Sequence, residues 1–269
     1  MLPADYVSSA ITGIVVALTS WLPVGPEGGA VSRFLGSVAK GYSNYLVPAY
    51  LGVIFAVIFY FRDPIAVGTQ RALSRSIGAE LKYLFYASLF TLVLGYPLVA
   101  GNWEFLDPTT SDAVNAAVGV AMILVGLACL VRKRAPLEEV EKRLADGEEP
   151  TLLDAVLSGI AQGLAMLGEL SATGLVLLVL SLSGMKPKKA LKLLFMISPI
   201  YMILRLLLLG SWNPAMPVYL PFTAFITSFV TAILFMKALM VAGERLSRRT
   251  FLTLMGLIPI VVYLMEVML

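Results

Sequence analysis

"SWLPVGPEGG", residues 20–29, decides how this chain is read. Pro23, Gly25, Pro26, Gly28 and Gly29 interrupt a helix five times within seven residues, and Glu27 places a carboxylate among them. The sequence on either side is strongly apolar. Backbone broken in this way leaves N–H and C=O groups without helical partners, and these must be satisfied by other protein groups or by water. The solvent around the chain therefore sets what the stretch does.

That solvent is lipid. Hydrophobic residues make up 59% of the 269 and charged residues only 14%, and the mean hydropathy is +0.87. A soluble domain carries roughly 45–50% apolar and about 25% charged residues, so this composition is that of a polytopic membrane protein. The start "MLPADYVSS" has no basic region, and no cleaved signal peptide is expected. Cys129 is the single cysteine and forms no internal disulfide, and the absence of histidine removes the commonest general base and metal ligand. The formal net charge is only +3, so its distribution matters more than its sum, and no nucleic-acid partner is expected. There is no P-loop, dinucleotide fingerprint or Cys/His metal spacing.

Six stretches reach the roughly 20 residues needed to cross a bilayer core: 44–62, 82–101, 113–131, 188–209, 217–240 and 249–268. Two further apolar regions, 5–40 and 152–184, are broken by "PVGPEGG" and "GELSATG" into halves of 12–18 residues. Those lengths suit re-entrant helix hairpins. If both broken regions return to their own side, Arg62, Arg71, Arg75, Lys82, the run 132–134, Lys142, Arg143, Lys186–Lys192, Lys237, Arg245, Arg248 and Arg249 share one face. The other face keeps Arg33 and Lys40, and its loop 102–112 carries Glu104, Asp107 and Asp112. The positive-inside rule then predicts six crossings, two hairpins and both termini outside a cell membrane.

The two broken regions also resemble each other. "GIVVALTSWLPVGPEG" (13–28) over "GIAQGLAMLGELSATG" (159–174) matches Gly13 with Gly159, Ile14 with Ile160, Leu18 with Leu164 and Gly28 with Gly174. Each region precedes three spans, so the second copy starts on the opposite face, an inverted-topology repeat with its site at the interface. The expected organisation is a first repeat at 1–135, a charged cytoplasmic linker at 136–150 with a short amphipathic helix at 137–145, and a second repeat at 151–269.

The tips of the two hairpins are expected to meet. The helices opening near Gly28 and Thr173 would offer free N–H groups to an anion. Ionisable and polar residues within a membrane are functional candidates, so substrate-binding candidates are Ser20, Glu27, Gly28, Arg33, Gln162, Glu169, Ser171, Thr173 and Gly174. Glu27, Glu169, Ser171 and Thr173 are the candidates for catalysis. Glu27 and Glu169 are oxygen donors suited to a divalent cation, Mg or Ca, and Glu27 has Arg33 as an alternative partner. For any single Ser or Thr, bonding back to its own helix is the commoner role. Arg205, in "MILRLLLLG", is read as snorkelling to the interface.

With these features placed, the chain resembles the BacA-type undecaprenyl pyrophosphate phosphatases over nearly its full length. "AITGIVVALTSWLPVGPEGG" is similar to that family's first motif, "SGIAQGLAMLGELSATG" to its second, and "LVPAYLGVIFAVIFYFRDPI" to the span after the first hairpin. The resemblance implies an all-α integral membrane protein acting on a membrane lipid, a polyprenyl phosphate or diphosphate, with a homodimer left open. The family's motif residues, however, do not carry over. Its two first-motif glutamates match Val16 and Ser20, its histidine Gly29, and its phosphate-binding arginine Ala172. Ser171 is kept, the next serine is Thr173, and the downstream threonine is Val176. On sequence alone the favoured expectation is a non-catalytic relative that binds and translocates a polyprenyl phosphate or a related anionic lipid carrier. The alternatives are a polyprenyl diphosphate phosphatase with a rebuilt site, and a structural or regulatory partner.

Overall fold

The computed structural model describes residues 3–63, 78–101, 105–132, 149–209 and 216–268, and among them the regular structure is helical throughout. In chain order the helices are α1 (Pro3–Trp21), α2 (Gly29–Val38), α3 (Leu46–Tyr60), α4 (Ala79–Ala100), α5 (Pro108–Arg132), α6 (Leu152–Leu164), α7 (Ala172–Leu182), α8 (Pro187–Leu209), α9 (Tyr219–Arg245) and α10 (Arg248–Met268). Single 3-10 turns at Tyr42–Tyr45 and Ala165–Leu167 precede α3 and follow α6. The expected amphipathic helix at 137–145, most of the linker, and Glu104 lie outside the described residues.

Six helices are long and apolar enough to cross a membrane: Tyr42–Tyr60, Ala79–Ala100, Pro108–Ala128, Pro187–Leu209, Tyr219–Arg245 and Arg248–Met268. They match the six expected spans. Proline opens α1, α5 and α8, where its missing N–H costs no bond and its fixed φ suits the first turn. The fifth helix starts earlier than expected, so Asp112 lies inside it, and its side chain is buried rather than in an outer loop. At its head Asp107 accepts the Thr110 N–H at 3.1 Å, and the bonds from Thr110 hold the Asp107 carboxyl below its usual range. Large apolar side chains such as Phe55, Phe59, Phe85, Val93, Leu124 and Leu234 face outward, as lipid rather than water would favour.

The shorter helices flank the two breaks. The helices α2, α6 and α7 have 10, 13 and 11 residues, too few for a crossing. By contrast α1 has 19, more than expected. A capping box opens α6, in which Thr151 and Asp154 satisfy each other's N–H groups.

Packing joins the two halves crosswise. The helix α1 lies against α9 and α6 against α4, while α3 lies against α9 and α4 against α8. Gly13 and Gly159, aligned in the sequence, sit in these contacts. A Cβ on Gly13 would stand 2.5 Å from the Ala224 carbonyl, and one on Gly159 would stand 2.4 Å from the Ala87 carbonyl. Only a bare Cα permits so close an approach, the usual means of tight helix association in lipid. This arrangement carries the two breaks to one place.

Candidate functional site

The tips meet. The Thr173 hydroxyl donates to the Ser20 carbonyl at 2.7 Å, and the Ser171 hydroxyl donates to the Leu22 carbonyl at 3.1 Å. A Cβ on Gly25 would lie 2.1 Å from the Glu169 carbonyl, so the two backbones touch where Gly25 has no side chain. From α5, Asn115 holds the second tip at both ends of Leu170. Its amide donates to the Glu169 carbonyl at 3.1 Å, and its oxygen accepts the Ser171 N–H at 2.8 Å. One turn earlier Ser111 accepts the Glu169 N–H at 3.0 Å. The broken backbone is thus satisfied by side chains of a spanning helix, which answers how it survives at this place.

Glu27 and Glu169 come together, and the cation between them is Arg205. Its Nη2 lies 3.0 Å from the Glu27 Oε2 and also bonds Glu169, while Nη1 donates to the Gly168 carbonyl at 3.3 Å. The Arg205 side chain is 3% exposed, against 15% for Glu27 and 18% for Glu169. The snorkelling expectation is therefore corrected. The residue is one turn from the end of α8, but its side chain turns inward because two carboxylates stabilise it there. Tyr50 of α3 completes the group, its hydroxyl donating to Glu27 Oε1 at 2.7 Å. The Nε of Arg205 is buried and has no hydrogen-bond partner among the described residues. A buried donor left unpaired is costly, and a phosphate oxygen is the kind of acceptor it suits.

Other candidates take different roles. Arg33 does not reach Glu27; it bonds Glu266 of α10 at 2.6 Å, where Thr109 also donates at 2.8 Å. Gly28 caps α2 as expected, but the N-terminus of that helix is already filled: the Ala30 N–H donates to Asp112 at 3.0 Å. The helix α7 opens at Ser171, whose hydroxyl accepts the Gly174 N–H at 3.1 Å. Ser20 bonds back to the Val16 carbonyl at 2.6 Å, the commoner role for a helical hydroxyl. Gln162 accepts from Thr91 of α4 at 2.9 Å, in the α4–α6 contact. Beside the tips a cavity of about 10 Å³ is lined by Thr19, Ser20, Tyr50, Ser171, Thr173, Ser198 and Tyr201, among others. Its volume suits about one water molecule.

Arg205, Tyr50, Asn115 and Asp112 are the members sequence reasoning missed. A signal existed for the first, since an arginine in an apolar span is a functional candidate by default. The others carry no local mark.

The sequence profile of the family described as "Bacitracin resistance protein BacA" matches residues 9–261. The chain belongs to the BacA family. A relative named "Undecaprenyl-diphosphatase" from Methanothrix thermoacetophila is 28% identical over 265 residues, covering 95% of this chain and 96% of its own. Relatives of the same name come from Haloarcula marismortui, 30% identical over 201 residues (70% of each chain), and Saccharolobus solfataricus, 30% over 196 residues (69% and 66%).

These findings overturn the favoured sequence expectation of a non-catalytic lipid binder and translocator, because a relative matched over 95% of the chain, and others matched over about 70%, carry a phosphatase name. The expectation rested on Val16, Ser20, Gly29 and Ala172 standing where the family has its charged residues. It weighed only aligned positions, whereas the guanidinium at the tips arrives from α8, outside both motifs. Six apolar helices together with family membership make this BacA-family chain a multi-pass membrane protein.

Proposed function

We propose that this chain is a polyprenyl diphosphate phosphatase whose site is built from Glu27, Glu169, Arg205 and Tyr50. The observation that carries the reading is Arg205, buried between the two tip carboxylates with its Nε unpartnered among the described residues. A diphosphate needs its phosphoryl oxygens held by positive charge and a nucleophile placed in line. The guanidinium supplies planar N–H donors matched to phosphate oxygens. Glu27, oriented by the Tyr50 hydroxyl, is the base. It takes a proton from a water whose oxygen attacks the terminal phosphorus. The bond to the bridging oxygen breaks, its electron pair leaves with the polyprenyl phosphate, and inorganic phosphate remains.

Two carboxylates and one guanidinium sum to one negative charge, which repels an incoming anion. Glu27 is held by the Tyr50 hydroxyl, so Glu169 is the carboxylate that releases its side of Arg205 to the substrate. Ser171 and Thr173 at the opening of α7 give their hydroxyl protons to the Leu22 and Ser20 carbonyls and so hold the two tips together. The inverted repeat, 1–135 and 151–269, is supported by the crosswise packing at Gly13 and Gly159. It accounts for a site made from both halves.

The test is phosphate release from a polyprenyl diphosphate by purified protein, in buffers with and without Mg²⁺. Arg205→Lys and Glu27→Gln should each lower kcat by about 10²–10³-fold, the range for losing one transition-state electrostatic partner. Absence of release in every buffer, or release indifferent to both substitutions, overturns the proposal.

A further inference from the structure

We propose that the Arg205 guanidinium stands in for a divalent cation, so that this site works without one. The inference rests on the phosphatase reading above and concerns the cofactor of that same site. Glu27 and Glu169 are the carboxylates whose chemistry suits Mg²⁺ or Ca²⁺, so the fit of a metal is decided by what lies between them. What lies there is Nη2 of Arg205, bonded to both. The remaining Glu27 oxygen, Oε1, holds the Tyr50 hydroxyl at 2.7 Å. A Mg²⁺ ion asks for near-octahedral oxygen ligands at about 2.1 Å, and Ca²⁺ for six to eight. Neither set forms while a guanidinium nitrogen occupies the position between the carboxylates.

The surrounding residues do not offer a replacement. Among the described residues, no group of three or more Asp, Glu, His or Cys is arranged to hold a metal. Asp112 and Glu266, which lie against each other, are only two carboxylates, and they already hold the Ala30 N–H, and Arg33 and Thr109. Moving Arg205 aside for a metal would strand a fully charged guanidinium in a site where it is 3% exposed, at a large desolvation cost.

The chemistry divides accordingly. A guanidinium matches a divalent ion in clamping phosphoryl oxygens, though with one positive charge in place of two. It does not acidify a bound water as a metal does, so activation of the nucleophile falls to Glu27, and the metal's two roles are split between two side chains.

The experiment pairs turnover with direct metal binding. Phosphate release from a polyprenyl diphosphate is measured after exhaustive chelation and after adding back Mg²⁺ or Ca²⁺. Mn²⁺ binding to the same detergent-solubilised full chain is followed by electron paramagnetic resonance. The expected result is release unchanged by chelation, with no stoichiometric Mn²⁺ site in the wild-type protein. Arg205→Gln, which removes the cation between the two carboxylates, should gain Mn²⁺ binding that further Glu27→Gln and Glu169→Gln substitutions remove. Release lost on chelation and restored by Mg²⁺ overturns the inference and leaves the phosphatase reading standing. A wild-type Mn²⁺ site abolished by Glu27→Gln or Glu169→Gln overturns it as well. Absence of release in every buffer sinks the phosphatase reading, and the Mn²⁺ measurement still decides between guanidinium and metal at the tips.

Discussion

Replacing Arg205 by methionine isolates the energetics of the charged cluster. The substitution keeps an unbranched apolar stem and removes the cation that two carboxylates share, Glu27 through Nη2 at 3.0 Å and Glu169 through the same nitrogen. The three side chains are 3%, 15% and 18% exposed, so water screens the carboxylates poorly once the guanidinium is gone. Breaking a buried pair by removing one partner costs about 3–5 kcal/mol, and here two carboxylates lose the cation they share, so the upper part of that range is expected. The triple variant Arg205→Met, Glu27→Gln, Glu169→Gln removes every charge together. Its stability should return to within about 1–2 kcal/mol of the wild type, because buried ionic groups replaced as a set by neutral ones cost little. That difference, about 2–4 kcal/mol, is a lower bound on the coupling energy, because the cost of the Glu27→Gln, Glu169→Gln double variant adds to it, and it is already well above the few tenths expected of independent sites. Reversible unfolding in mixed micelles under increasing SDS reads these numbers, with fluorescence of the buried Trp21 contributing to the signal. A triple variant as unstable as Arg205→Met alone would refute the reasoning, and so would an Arg205→Met protein of wild-type stability.

Two other outcomes follow from the contact between the tips and from its charge. Gly25→Ala should lower the melting temperature and the rate of phosphate release together, because the new Cβ would meet the Glu169 carbonyl at 2.1 Å and both partners are backbone. Gly36→Ala on α2, where nothing lies within 4 Å, should leave both unchanged or slightly raise stability. For the charge, the cluster carries a net −1 (two carboxylates, one guanidinium), so Glu169→Gln, which brings it to zero, should lower KM for a diphosphate. A KM unchanged or raised in that variant would show that the charge of the cluster does not oppose the substrate.

What the sequence determined was local in origin. Span lengths follow from hydropathy. The two breaks follow from Pro and Gly, whose effect on a helix needs no neighbour, and the meeting of Glu27 and Glu169 followed from placing both breaks in lipid. Family membership was legible in the same strings. What only the tertiary structure decided was the pairing of charges. Arg33 and Glu266 are 233 residues apart, and the Ala30 N–H and Asp112 are 82 apart. Arg205 reaches Glu169 across 36 residues, in another helix. Arg33 and the Ala30 N–H each have Glu27 nearer in sequence, and Glu169 has Lys186, Lys188, Lys189 and Lys192 nearer than Arg205, and hydropathy does not rank them. The choice fell to helix packing, which buried Arg205 at the tips and left Arg33 at the rim. In lipid a buried charge takes the partner that packing brings within reach, whatever its distance along the chain.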